Sequence, residues 1–235
     1  MKNLSIAVAA IGLAVGMAGT ANATVSVSVA PGAGTYAGPT PTYDFDTPTT
    51  TPVTIPAGTT PPGPGGIVVG GSQAGLYAQP LGSTGNFFSS GPSTTDNSVV
   101  LLNGLGDILN LSFIWGSIDT YNTLTFTDAA GNPLLGAQYS FTGTQIAGMI
   151  PAFATGNQTA ADQNPLVTFL FSGGDEAIVR GFQLSSSGTN AFEIDNIAVN
   201  GVPEPGTWAM MLLGFGAIGL GMRRRKGAQA LPQIA

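Results

Sequence analysis

The run LNLSFIW sets Leu109, Leu111, Phe113 and Trp115 on one side of an extended chain, with Asn110 and Ser112 on the other. Such a two-residue period belongs to a half-buried strand, and it recurs. YNTLTFT points Leu124 and Phe126 inward and Thr123, Thr125 and Thr127 outward. LLGAQYSF aligns Leu135, Ala137, Tyr139 and Phe141 after the turn sequence DAAGNP, so the two runs read as a hairpin. LVTFLFS is apolar on both faces, as a central strand would be, and AIVRGFQL follows the turn at residues 173–176. AFEIDNIAV changes phase midway, because Phe192 and Ile194 share a face that Ile197 and Val199 do not. One extra residue at Asp195–Asn196, a β-bulge, restores the register. Sustained helical periodicity occurs only in two terminal segments. The pattern predicts an all-β fold, an antiparallel two-sheet β-sandwich over residues 76–202.

The two terminal segments have other purposes. Met1-Lys2-Asn3 gives a short basic start, residues 4–19 are small and apolar, and Ala21-Asn22-Ala23 fits the small-x-small pattern of signal cleavage. Residues 1–23 are therefore expected to be a signal peptide, cut after Ala23 by signal peptidase. At the far end, residues 206–222 carry no charge. Seventeen residues of helix at about 1.5 Å each come close to the ~30 Å hydrocarbon core. Arg223, Arg224, Arg225 and Lys226 follow at once, as a stop on the cytoplasmic side. A single transmembrane helix is expected there. Pro203 and Pro205 hold Glu204 in an extended segment just before it.

Pro203-Glu204-Pro205, then Trp208-Ala209, the Gly-rich apolar run and the basic cluster resemble a PEP-CTERM sorting signal of the PEPxxWA subtype found in Gram-negative bacteria. The resemblance covers residues 203–226, with a short tail at 227–235. It implies an exported substrate of an exosortase, a membrane-embedded protease or transpeptidase. It further implies transient anchoring in the inner membrane, then a place at the cell surface or in the extracellular matrix of a biofilm. The strand FEIDNIAV, closing just before the signal, also resembles the last strand of jelly-roll, galactose-binding-like domains.

Between the two signals the charge is lopsided. Arg180 is the only cation from Thr24 to Val202, and every acid of the chain except Glu204 lies in that span. Such a surface repels nucleic acid phosphates, so no nucleic acid partner is expected. Residues 24–75 are rich in Pro, Thr and Gly and read as an extended segment. One island, TYDFDT at 42–47, alternates as a candidate first strand.

The chain has no His and no Cys. Ser-His-Asp and Cys-His devices are thereby excluded, as is a zinc site of the usual ligands. GGIVVGG lacks the lysine and helix of a phosphate loop. The paired acids Asp44/Asp46, Asp175/Glu176 and Glu193/Asp195 are expected in turns or on faces turned to water, so an enzyme is not expected. No cofactor is expected beyond a structural calcium, for which Asp44, Asp46 and Asp195 are candidates if the first and last strands pair. The alternative is that Asp195 and Asn196 bond backbone groups at the bulge. In WGSIDTYN, Trp115 continues the core series, while Asp119, Tyr121 and Asn122 are candidate sugar contacts. The function expected is that of a structural or adhesive surface protein. A carbohydrate-binding module for exopolysaccharide is the alternative, and a carboxylate-dependent glycoside hydrolase comes third.

Overall fold

A computed structural model describes residues 24–32, 34–46, 53–54, 67–92, 98–102, 104–151, 153–201 and, near the C-terminus, 211, 213–216, 218 and 222. The described strands are β1 (Thr24–Ala30), β2 (Val53–Thr54), β3 (Ile67–Gly70), β4 (Asn86–Ser90), β5 (Ser98–Leu102) and β6 (Ile108–Gly116). They continue as β7 (Asn122–Thr127), β8 (Ser140–Thr142), β9 (Leu166–Ser172), β10 (Gly181–Ser186) and β11 (Phe192–Gly201). Two short helices, α1 (Gly143–Ala147) and α2 (Asp175–Ile178), interrupt them. One sheet runs β1-β9-β6-β11-β4-β3 and the other β2-β5-β10-β7-β8, with every described pairing antiparallel.

Apolar side chains of both sheets meet in one core. Phe113 of β6 stacks on Phe182 of β10 at 5.7 Å between ring centroids. Phe126 of β7 meets Phe169 and Phe171 of β9 edge-on at 5.1 and 4.9 Å. Such edge-to-face pairs add to plain area burial. Trp115 is buried and stacks on Phe192 at 4.2 Å, so its place in the core series holds.

The bulge in β11 is present. Asp195 pairs with Ile114 and Ala198 with Ser112, which leaves an extra residue between them. Asn196 takes a left-handed conformation (φ 57°) that Asn tolerates better than most side chains. A second irregularity corrects the expected face of Leu109. Asn200 pairs with Asn110 but Gly201 with Ile108, so Leu109 is squeezed out and half exposed while Ile108 turns into the core. The hairpin also forms, with Leu124 opposite Phe141. Its return strand is only β8, however. Leu135 projects into solvent, 91% exposed, because a turn of 3-10 helix occupies residues 137–139.

The expected strand at 42–47 is replaced, over its described residues 42–46, by a bent segment. Tyr43 makes a single bridge to Ile197, and Phe45 turns with positive φ to bury its ring on Phe88. The described sheet edge is β1 instead. Its Val25, Val27 and Val29 stand opposite Phe171, Phe169 and Val167 of β9. Within the Pro/Thr/Gly-rich segment, Thr35 and Tyr36 line a small cavity with Ile114 and Leu166 on the outer face of β6 and β9. LVTFLFS does lie between two neighbours, β1 and β6, but it is apolar-in on one face only. Val167, Phe169 and Phe171 are buried, and Leu170 is half exposed.

Ala21 and Ala23 lie outside the described residues, as do Pro203, Glu204, Pro205, Trp208, Ala209 and Arg223 to Lys226. In the expected transmembrane segment, residues 211, 213–216, 218 and 222 are helical, with Leu213, Phe215, Ile218 and Met222 exposed. Among the described residues no helix is long and apolar enough to cross a membrane.

Candidate functional site

Before its bulge β11 alternates as a strand must. Phe192 and Ile194 enter the core, and Glu193 and Asp195 take the opposite face. That face was expected to meet water. It does not, because residues 71–85, which no periodicity marks, fold across it. The Ala78 N–H donates to Glu193 Oε1 at 2.8 Å, and the Ser83 hydroxyl donates to Asp195 Oδ2 at 2.5 Å. Pro80 closes over Gly116, whose missing side chain leaves the room. Glu193 and Asp195 end up 2% and 1% exposed.

Next to this cover lies a cavity of about 420 Å³, within the usual size of a small-ligand pocket. Glu193 and Ser117 line it, as do Asp119, Tyr121, Gln73 and Tyr77. Gln158 and Asn190 complete the polar wall. Among the described residues no basic side chain lines it.

Several loops converge to fix that geometry, and Asn164 ties three of them. Its Oδ1 accepts from the N–H groups of Leu81 and Ser117 at 3.1 and 2.8 Å, and its Nδ2 donates to the carbonyls of Asn157 and Ala160 at 3.3 and 3.0 Å. Asp119 sits where residues 143 and 156 must be small. A Cβ on Gly143 would run into the Asp119 carbonyl. One on Gly156, which already has positive φ, would press on the Asp119 carboxylate. The Thr155 hydroxyl donates to Asp119 Oδ1 at 3.3 Å.

The electrostatics follow from burial without a counter-charge. Burial pushes Glu193 from 4.5 up to about 8, and the neighbouring Asp119 charge adds to it. Hydrogen bonds from Ala78 and Ser117 pull the other way. Burial also raises Asp119, against hydrogen bonds from Tyr121 and Thr155. The Tyr121 phenol is raised by its own burial and by both carboxylates, and its hydroxyl donates to the Asn190 carbonyl at 3.1 Å. Arg180 offers no relief, since it serves Asp107 at 3.5 Å and the carbonyls of Glu176 and Val179.

Of the three residues expected to touch sugar, Asp119 and Tyr121 line this cavity. Asn122 does not. It is fully buried beneath, where its Oδ1 accepts from the Ser186 hydroxyl at 3.0 Å. Asp175, expected in a solvated turn, is also fully buried and accepts from the Tyr139 hydroxyl at 2.6 Å.

Asp44, Asp46 and Asp195 do come near one another, close enough that the first two raise the third. Burial remains the larger cause, and together they lift it to about 7. They do not fit a calcium cage. Asp46 Oδ1 accepts from the Asn86 N–H at 2.6 Å, and Asp44 Oδ1 from the Asp46 N–H at 3.1 Å. Asp195 Oδ1 accepts from the Asn196 N–H at 2.7 Å, the backbone role of an Asx residue at a bulge. Among the described residues no group of three acids could hold a metal ion.

β11 ends at Gly201, and from that residue the chain changes character. Residues 201–226 match a family described as the PEP-CTERM protein-sorting motif. This chain carries a PEP-CTERM sorting signal. The signal marks an exported protein that is anchored by its C-terminal end before an exosortase processes it. The match begins at Gly201, the last residue of β11. No curated protein and no solved structure matches the chain.

Proposed function

We propose that this PEP-CTERM protein is an adhesive component of the cell surface or extracellular matrix, and that its cavity holds a saccharide unit of the surrounding exopolysaccharide. The two sheets are read as a galactose-binding-like jelly roll, and the signal as the PEPxxWA subtype. The cavity beside Glu193 carries this reading. Amides, phenols and carboxylates of Gln73, Gln158, Asn190, Tyr77, Tyr121 and Asp119 offer donors and acceptors around a space of sugar size. Tyrosine supplies both a ring face and a polar tip. Binding of purified exopolysaccharide by the full chain, measured in detergent, tests the reading. Tyr121→Ala should weaken it at least tenfold, and unchanged binding would remove the cavity from the account.

A hydrolase is the second reading, favoured by the proximity of Asp119 and Glu193. Two-carboxylate hydrolysis works best when the sites push the two acidities apart, so that one group donates a proton while the other stays ionised. Here burial raises both, which favours holding a ligand over cleaving one. The protein is accordingly read as a binder and not an enzyme.

The sorting role has its own test. Replacing Pro203, Glu204 and Pro205 together by Ala should leave export intact and trap an uncleaved membrane form. Fractionation and the mass of the mature protein report it. The same C-terminus in wild type and variant would show that an exosortase does not read this motif.

A further inference from the structure

We infer that the saccharide suited to the cavity is an amino sugar with a free ammonium group, as in a partly deacetylated polysaccharide. The inference rests on the cavity being the saccharide site.

Two carboxyl groups, Asp119 and Glu193, stand at one cavity with little access to solvent. Buried carboxylates are ordinarily paired with a cation or satisfied by several donors. Glu193 has the Ala78 N–H and, at 3.4 Å, the Ser117 hydroxyl. Asp119 has the Thr155 hydroxyl and a share of the Tyr121 hydroxyl, which also serves the Asn190 carbonyl, and both partners are neutral. The other titratable groups on the walls are the phenols of Tyr77 and Tyr121, which carry no positive charge. Arg180, the single cation from Thr24 to Val202, is engaged elsewhere. A ligand that brings its own cation completes the site, whereas an anionic sugar such as a uronic acid meets repulsion.

The shape decides between cations. A metal ion would leave most of about 420 Å³ unfilled, and among the described residues no three-acid cluster exists to ligate one. A sugar ring fills that space. Its ammonium would take the carboxylate end at Asp119 and Glu193. Its hydroxyls would meet the amides of Gln73, Gln158 and Asn190. Burial that holds both carboxyls toward their protonated forms would be relieved by an ammonium, so binding should release protons.

The experiment compares three neutral-backbone tetrasaccharides of the same linkage on the full chain in detergent, by calorimetry at pH 7. These are the β-1,4 oligomers of glucosamine, N-acetylglucosamine and glucose. The glucosamine oligomer should bind at least tenfold more tightly than either other. It should lose at least tenfold on Asp119→Asn, with proton release visible as a heat that depends on the buffer. Equal or tighter binding of the acetylated or neutral oligomer overturns the amino-sugar assignment and leaves the saccharide reading standing. Binding of none overturns both. The wild-type comparison needs no variant to fold. Asp119→Asn is scored only against its own thermal melt, and a folded variant that binds glucosamine oligomer undiminished also overturns the assignment.

Discussion

Phe126→Ala should lower the unfolding free energy by about 3–5 kcal/mol, the usual cost of truncating an enclosed phenylalanine. The side chain is fully buried and touches three rings on two other strands. Phe169 and Phe171 meet it edge-on from the opposite sheet, and Phe141 meets it from β8 at 6.0 Å. Removing it opens a cavity at the place where the two sheets are held together. None of those rings can move in without abandoning its own strand, so the transfer term and the cavity term both apply. Leu135→Ala is the internal control. The same alternation argument placed Leu135 in the core, yet it is 91% exposed, and its truncation should change stability by less than about 0.5 kcal/mol. Urea unfolding of the full chain in detergent, followed by tryptophan fluorescence, reads both. A loss below about 1.5 kcal/mol for Phe126→Ala would mean that the sheets do not close around it.

The contrast between those two residues shows what the sequence could carry. Phe126 lies in a run of unbroken alternation, where period and burial coincide, and its face was legible. Leu135 follows Gly131-Asn132-Pro133, where Pro133 bridges Thr127 and the Leu134 N–H donates to the Phe126 carbonyl. The pairing then breaks for the 3-10 turn and resumes only at Ser140, so the apparent alternation of Leu135 and Ala137 was an accident of spacing. The β11 bulge was legible because it breaks phase between two apolar pairs. The bulge at Leu109 was not, since Ile108 and Leu109 are equally apolar and either could face inward.

The site was half legible for a related reason. Asp119 and Tyr121 stand out as polar and aromatic residues at the end of a core strand. Glu193 also stands out in retrospect, as a carboxylate inside the otherwise apolar AFEIDNIAV. Its burial could not be read from β11, because the residues that cover it, Ala78 and Pro80, belong to an irregular segment without a period. Asn164 left no signal at all. Its importance comes from tying its own loop, at the Asn157 and Ala160 carbonyls, to the distant N–H groups of Leu81 and Ser117, and no sequence pattern marks that role. β1 was missed although TVSVSVA alternates cleanly, because its seven residues adjoin a Pro/Thr/Gly-rich stretch that set the reading of the whole segment.

Stability should fall as pH rises from 5 to 8, and Glu193 and Asp195 should account for most of the fall. The folded protein holds Glu193 at about 8 and Asp195 at about 7, against ordinary values of 4.5 and 3.8. A raised acid keeps its proton in the native state when the unfolded chain has already released it. Between the unfolded and folded values the native state therefore binds more protons, and each further unit of pH costs it up to about 1.4 kcal/mol per group. The stabilisation is complete below about pH 4, declines across the window, and is lost above 8. Asp119, also raised by burial, acts in the same direction. Asp128 is lowered by its hydrogen bonds to Asn132 and so acts oppositely, but only in more acidic solution. Urea midpoints of the full chain at pH 5, 6, 7 and 8 should thus descend. Glu193→Gln fixes the neutral form and keeps an oxygen for the Ala78 N–H. Its curve should be flatter than that of the wild type, above all approaching pH 8, where Asp195 nears the end of its titration and Glu193 is at its midpoint. Asp195→Asn should flatten the lower part of the window instead. A wild-type stability that climbs from pH 5 to 8 would show that Glu193 and Asp195 are ionised and well partnered in the fold, and for Glu193, the one of the two that lines the cavity, it would withdraw the missing counter-charge on which the amino-sugar assignment draws.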